Sequence, residues 1–313
     1  MKERITKGCT FFGNYRRDYR CYVRARDGFG ALLDMLGVSK NDIILMPGYI
    51  GWSAREGSGV FDPIVERKLK PIFYHLDDKL KICQPDITVK MAATEAKVLL
   101  LIHFFGFPDP DAAKYAELAR ERGIIVIEDS AHAMYTDLIE GGCGDFGDYS
   151  LFSLHKMLPV ASGGLICARS GVEIPASNYQ LDFDPFAFDL VRISEVRRDN
   201  YLALDTVIKG TSSLIVPLYD ELPANVIPQT YPIILPYSNR DKIYEYMNDK
   251  GWGVVSLYHT MIHPISVGDY PDEKRLAHTI MNLPVHQDVD RSLYHEMIDD
   301  LLIAAADFKL ENS

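Results

Sequence analysis

Between residue 27 and about residue 170, short apolar runs alternate with segments whose apolar positions recur at helical spacing. The runs DIILMP (Asp42 to Pro47), PIFYHLD (Pro71 to Asp77), VLLLIHFFG (Val98 to Gly106), IIVIED (Ile124 to Asp129), DYSLFSL (Asp148 to Leu154) and GGLICAR (Gly163 to Arg169) predict strands. Several are apolar on both faces, as strands of a parallel sheet covered by helices are. The clearest helix lies between two of them. Asp109 can cap it and Pro110 suits its first turn, Ala112, Tyr115, Ala116 and Ala119 share one face, and Gly123 ends it. Strand, helix, strand in this order makes a crossover between parallel neighbours. The stretch Glu173 to Ser194 breaks the pattern with prolines, aromatics and acids. Beyond it, YPIILP, RDKIYEYMNDKGWGVVSLYH and DVDRSLYHEMIDDLLIAAADF read as strand, helix–strand and closing helix. The expected fold is therefore α/β, a mainly parallel sheet flanked by helices over residues 1–194, with a smaller α+β domain over 195–313.

Composition narrows the partners. A formal net charge of −11, from 44 acids against 33 bases, argues against a nucleic-acid surface, which needs clustered Lys and Arg. A small-molecule partner is the expectation. The five cysteines, Cys9, Cys21, Cys83, Cys143 and Cys167, are scattered and never spaced Cys-x-x-Cys, which suits a reducing compartment better than a disulfide framework or zinc site. MKERITKGCTFF lacks the apolar core of a signal peptide, and VLLLIHFFGF (Val98 to Phe107) is far too short to span a bilayer. A cytoplasmic protein without membrane contact is expected.

Several standard motifs fail. GFGALLD (Gly28 to Asp34) has two glycines of a dinucleotide fingerprint but not the third, and no clear strand precedes it. No phosphate-binding P-loop, G-x-S-x-G elbow or H-E-x-x-H helix occurs. HTMIH (His259 to His263) has metal-ligand spacing only if helical, Pro264 follows directly, and no third ligand is suggested, so no metal is expected.

VIEDSAHA (Val126 to Ala133) is more informative. Ligands of such sheets bind outside the carboxyl ends of the strands, and Asp129 stands where an apolar run ends. A carboxylate there can hold a cationic ring nitrogen, or it can be a solvated strand-end acid. His132 faces the same pocket if the chain turns into a helix. Lys156 in FSLHKMLPVASGG follows another strand, so an amine and a carboxylate can meet at one sheet edge; alone, it would read as a loop lysine. Together they form the pair that pyridoxal phosphate chemistry requires, an amine for the aldehyde and a carboxylate that keeps the pyridine nitrogen protonated. Ser153 offers a hydroxyl for the cofactor phosphate, and Gly28 would let backbone N–H groups approach it at the start of the helix GALLDML.

At these residues the chain resembles the DegT/StrS family of pyridoxal-phosphate-dependent sugar aminotransferases, of the aspartate aminotransferase fold type I. LLLIHFFGFPDP, IIVIEDSAHAM, GDFGDYSLFSLHK, SGGLI, YPIILPYSNRDKIYEYMNDKGWGV, LYHTMIHP and IMNLPVHQDVD occur in the family's order. The resemblance implies pyridoxal 5'-phosphate as cofactor, Lys156 as the Schiff-base lysine and proton shuttle, Asp129 as the pyridinium partner, His132 near the phenolic oxygen and Ser153 at the phosphate. Gly28 and Phe29 stand where the family has a Gly-Thr pair on that phosphate, so binding there would rest on backbone groups. Trp52, or in its place Tyr49, would stack on the ring, and Tyr258 and His263 would line the substrate side. The implied reaction moves an amino group from a donor such as glutamate to a keto group, on a nucleotide-linked keto-sugar of polysaccharide or O-antigen biosynthesis. A homodimer with shared active sites is implied too. A dehydratase, or a cofactor-binding regulatory protein without catalysis, are the alternatives; relatives that dehydrate carry histidine in place of the lysine.

Overall fold

The computed structural model describes residues 15–211 and 213–310; Cys9 and the segment MKERITKGCTFF lie outside them. The apolar runs form the strands β2 (Ile43–Pro47), β3 (Lys70–Tyr74), β4 (Ala96–Ile102), β5 (Ile125–Asp129), β6 (Tyr149–Ser153) and β7 (Gly164–Ala168). With β1 (Asp18–Tyr22) they make one sheet in the order β1-β7-β6-β5-β4-β2-β3. β3, β2, β4, β5 and β6 run parallel, whereas β7 and β1 are antiparallel to their neighbours. The mainly parallel α/β sheet expected from the sequence is thus present.

β1 corrects one expectation, that no strand precedes Gly28. DYRCY is polar at alternate positions and lies on a sheet edge, so it lacks the continuous apolar run that marks the central strands. The helices on this sheet are α1 (Ala25–Met35), α2 (Asp62–Glu66), α3 (Gln84–Ala93), α4 (Ala112–Arg120) and α5 (Met134–Leu138). In α4 the buried residues are Ala112, Tyr115, Ala116 and Ala119, the face the spacing predicts, and Gly123 leaves the helix at φ +70°.

The long helix α6 (Leu190–Ile208) leads into a second, antiparallel sheet in the order β10 (Ile280–Pro284), β9 (Thr230–Ile234), β8 (Val216–Pro217). α6 and α7 (Arg240–Asp249) pack on it, α10 (Tyr294–Asp307) packs on both of these helices, and α8 (His263–Val267) and α9 (Pro271–Thr279) lie between β9 and β10 in the chain. The expected boundary at 194/195 falls inside α6. One buried apolar cluster joins Leu100 and Ile127 of the large sheet to Tyr201, Tyr231, Ile262 and Leu283, so both sheets share a core. A second cluster around Phe152, Leu165 and Phe186 covers the other face near β6 and β7.

Candidate functional site

At the carboxyl end of β5 the backbone places Glu128 and Asp129 on opposite faces of the sheet. Glu128 is fully buried. It accepts from Gly144 N (2.7 Å), Phe146 N (2.9 Å) and Gly147 N (2.6 Å), and its Oε2 lies 2.8 Å from His103 Nε2. Burial works against its charge, but the His103 contact and these N–H donors outweigh it and hold its pKa below the usual range. Glu128 thereby fixes the turn that feeds β6, and so the strand that delivers the lysine.

Asp129 faces a cavity of about 770 Å³, a size suited to a cofactor with a substrate. Its side chain is almost fully buried, and its one hydrogen bond is accepted from Ala131 N at 2.9 Å. Among the described residues no cation stands at ion-pair distance from it. Burial accordingly raises its pKa, although Lys156 and the Ala131 N–H pull the other way.

His132 and Lys156 meet at the same cavity, with Lys156 Nζ 3.2 Å from His132 Nε2. The His132 ring is held between the face of Phe105, stacked at 6.1 Å, and the edge of Tyr258 at 5.8 Å. Phe105 takes a left-handed backbone (φ 56°) just before Gly106 (φ 95°), a tight turn after β4 that points its ring at the histidine. Burial, aided by the Lys156 charge, drives the His132 pKa well below its ordinary value, which favours the neutral ring, and among the described residues its buried Nδ1 has no hydrogen-bond partner. Lys156 exposes much of its side chain to the cavity, yet enough protein encloses the amine for desolvation to lower its pKa, against the raising effect of Asp129 and Glu56.

Of the other expected residues, Ser153, Phe29, Trp52 and Tyr258 line this cavity, and Gly28, His263 and Tyr49 do not. Ser153 Oγ lies 3.4 Å from His155 Nδ1. Tyr49 is buried behind Tyr258, with ring centroids 5.2 Å apart. His263 is exposed at the first turn of α8, and among the described residues no cluster of His, Cys, Asp or Glu could hold a metal.

Gly28 has a packing role. α1 starts at Ala25 rather than Gly28, the Gly28 N–H bonds Arg24 O at 3.3 Å, and a Cβ here would meet Ile166 and Tyr22 at 2.7–2.8 Å. The cavity therefore meets the first turn of α1, through Arg24, Ala25 and Arg26, none of which sequence reasoning singled out. A signal was available: arginines opening a helix oppose its dipole. Arg55, Glu56, Ser162, His155 and His259 also line the cavity without having been singled out.

A cofactor with an aldehyde and a protonated ring nitrogen fits this donor set. Among the described residues Asp129 is a buried carboxylate with no cation at ion-pair distance, Lys156 is an amine of lowered pKa, and the His132 Nδ1 has no hydrogen-bond partner.

A family model described as the DegT/DnrJ/EryC1/StrS aminotransferase family matches residues 25–175. The chain is 31% identical over 101 residues to dTDP-4-dehydro-2,3,6-trideoxy-D-glucose 4-aminotransferase of Saccharopolyspora spinosa, a match covering 32% of this chain and 26% of that one. It is 26% identical over 155 residues to L-glutamine:2-deoxy-scyllo-inosose aminotransferase of Streptomyces kanamyceticus, covering 49% and 34%. These matches thus span about a quarter to a third of the relatives' lengths. The fold is that of a protein of Streptococcus pneumoniae solved in its PLP form, with a TM-score of 0.71 at 15% identity over 92% of this chain and 87% of that one. The stretch from α1 through β7, with the Asp129, His132 and Lys156 cluster inside it, is thus the part of the chain that is similar to the DegT/DnrJ/EryC1/StrS aminotransferase family.

Proposed function

We propose that the chain is a pyridoxal-phosphate-dependent aminotransferase that moves an amino group from a donor such as glutamate to a keto group on a nucleotide-linked keto-sugar. The observation that carries this reading is the convergence of Asp129, His132 and Lys156 on one cavity at the carboxyl end of β5 and β6. When bound, pyridoxal phosphate supplies an aldehyde and a ring that accepts carbanion electrons. Asp129 would hold the ring nitrogen in its protonated form, and that cation would in turn offset the burial of the carboxylate. His132, neutral and fixed by Phe105, would stand at the phenolic oxygen, and Ser153 near the phosphate. Trp52 lies on the cavity wall and would cover the ring. The lowered pKa of Lys156 leaves more of its amine unprotonated near neutral pH, so it can take a proton at a substrate carbon and return it, with Tyr258 closing the same space. Arg55, and Arg24 with its partner Asp27, stand at the mouth beside Glu56, and the arginines would meet a phosphorylated acceptor there. Lys156, not His155, contacts His132, which favours transamination over dehydration. The same reading includes a homodimer with shared active sites, closed twofold pairs being the commonest assembly.

The test is the visible spectrum of the purified protein with pyridoxal phosphate, followed by borohydride reduction and peptide mapping. A band that glutamate bleaches, with the label on Lys156, is expected. Lys156→Ala should abolish the label and lower turnover by at least about 10²-fold. A bound cofactor that no amino donor converts would overturn the aminotransferase and leave a regulatory protein.

A further inference from the structure

The phosphate end of the cavity departs from the family pattern. Phe29, which the resemblance sets where the family has a threonine, lines the wall of the cavity and offers no hydroxyl. Gly28 is consumed by packing against β7. Beside them the first turn of α1 is open. Arg24, its N-cap, gives no side-chain cap, the first N–H groups of a helix have no intrahelical acceptor, and the end carries partial positive charge. Gly164 allows this turn to sit directly on β7, since a Cβ there would lie 2.2 Å from Ala25 N and 2.5 Å from Ala25 Cα.

Arg26 stands in that turn and lines the cavity. Its guanidinium makes one contact, Nη1 to Asp62 Oδ2 at 3.2 Å, which leaves most of its five donors free. Asp62 is itself held by Ser58 N at 3.1 Å. Arg26 is therefore tethered at the rim of the cavity and not neutralised within the fold by a fork of hydrogen bonds. Asp27 in the same turn is paired with Arg24 and Asp62 makes a single contact with Arg26, so Arg26 is the cation at this helix start that keeps most of its hydrogen-bonding capacity for an anion. The same cavity is lined by Asp129, which is nine-tenths buried and, among the described residues, has one oxygen without a hydrogen-bond partner and no cation at ion-pair distance.

We propose that Arg26, backed by the open first turn of α1, holds the cofactor phosphate in place of the missing threonine hydroxyl. This rests on the cofactor reading above. A planar guanidinium forks onto phosphate oxygens, and the adjacent N–H groups of Ala25 and Arg26 complete the cradle.

The experiment compares equilibrium binding of pyridoxal phosphate and of pyridoxal, without amino donor or acceptor, to the wild-type chain, R26A, R26K and D62N. Wild type should prefer the phosphorylated form. R26A should lose about tenfold or more of its affinity for pyridoxal phosphate while pyridoxal changes less than about twofold, R26K should retain part of the preference, and D62N should keep it because the arginine remains. The pyridoxal measurement shows that R26A is folded. Equal losses for both ligands, or an R26A that keeps the full preference, would overturn the assignment while leaving the cofactor reading in place. So would a defect confined to binding of a phosphorylated acceptor, which would give Arg26 to the substrate. Wild-type protein that binds neither ligand would overturn both readings.

Discussion

At the scale of single residues, Asp129 carries opposed demands. Its carboxylate is buried with one backbone donor and, among the described residues, no paired cation, so the fold holds it at a cost, and its pKa is raised mainly by burial. For a carboxyl whose folded pKa lies above its unfolded value, the sign is fixed. There is no penalty at pH values below the unfolded pKa, and destabilisation grows as pH rises through the folded pKa. Asp129→Asn removes the charge and keeps an oxygen for Ala131 N. In thermal denaturation without cofactor it should be more stable than wild type by about 1–3 kcal/mol at neutral pH, with the gain vanishing in acid. Transamination should fall steeply in the same variant. A lower melting temperature at neutral pH would show that the carboxylate is satisfied by the fold alone. Asp129, His132 and Lys156 were legible because each stands at or just past the end of an apolar strand. Arg26 and Phe105 were not, since one acts through helix geometry and the other through a left-handed turn that only the folded backbone displays.

At the scale of elements, the site depends on how closely α1 approaches β7. The pair Gly163–Gly164 makes that approach possible: Gly163 takes φ +130°, its N–H bonds Val23 O at 3.0 Å, and its carbonyl accepts from Leu154 N at 3.0 Å. Gly164 then lies against the backbone of Arg24 and Ala25. Because the atoms a Cβ would strike are main chain, no rotamer change relieves the clash. Gly164→Ala should cost about 1–3 kcal/mol in urea unfolding and weaken pyridoxal phosphate more than pyridoxal, because the displaced turn belongs to the phosphate end. An unaffected variant would mean that α1 can slide without loss. Central strands and α4 could be placed from periodicity alone, as their faces are wholly apolar or cleanly striped. β1 could not, because an edge strand paired on one side needs no continuous apolar run, and the start of α1 was misplaced because its first turn is polar and uncapped.

At the scale of the whole molecule, the boundary suggested by the irregular stretch before residue 195 marks a change of sheet but not of core. α6 carries the chain across it, and residues of β4, β5, β9 and β10 belong to one buried cluster. The segment from 255 to 262 ties the two sheets together over the site. Trp52 N donates to Thr260 O at 2.8 Å, Ile262 N to Ile50 O at 3.0 Å, and Val255 pairs with Asn282. Tyr258, at the crest of this segment, holds a left-handed backbone (φ 60°) and sets its ring among Tyr49, Phe104, Phe105 and His132. The cavity walls thus come from both sides, and neither half can open without exposing apolar surface of the other. Calorimetry should show one cooperative transition for the described fold, and a fragment of residues 195–313 should not fold alone. Pyridoxal phosphate at about a hundred times its dissociation constant should shift that single transition upward by about 2.7 kcal/mol. Two separated transitions, only one of them moved by the cofactor, would show instead that the small sheet is an independent domain and that Tyr258 is a detachable cover on the site.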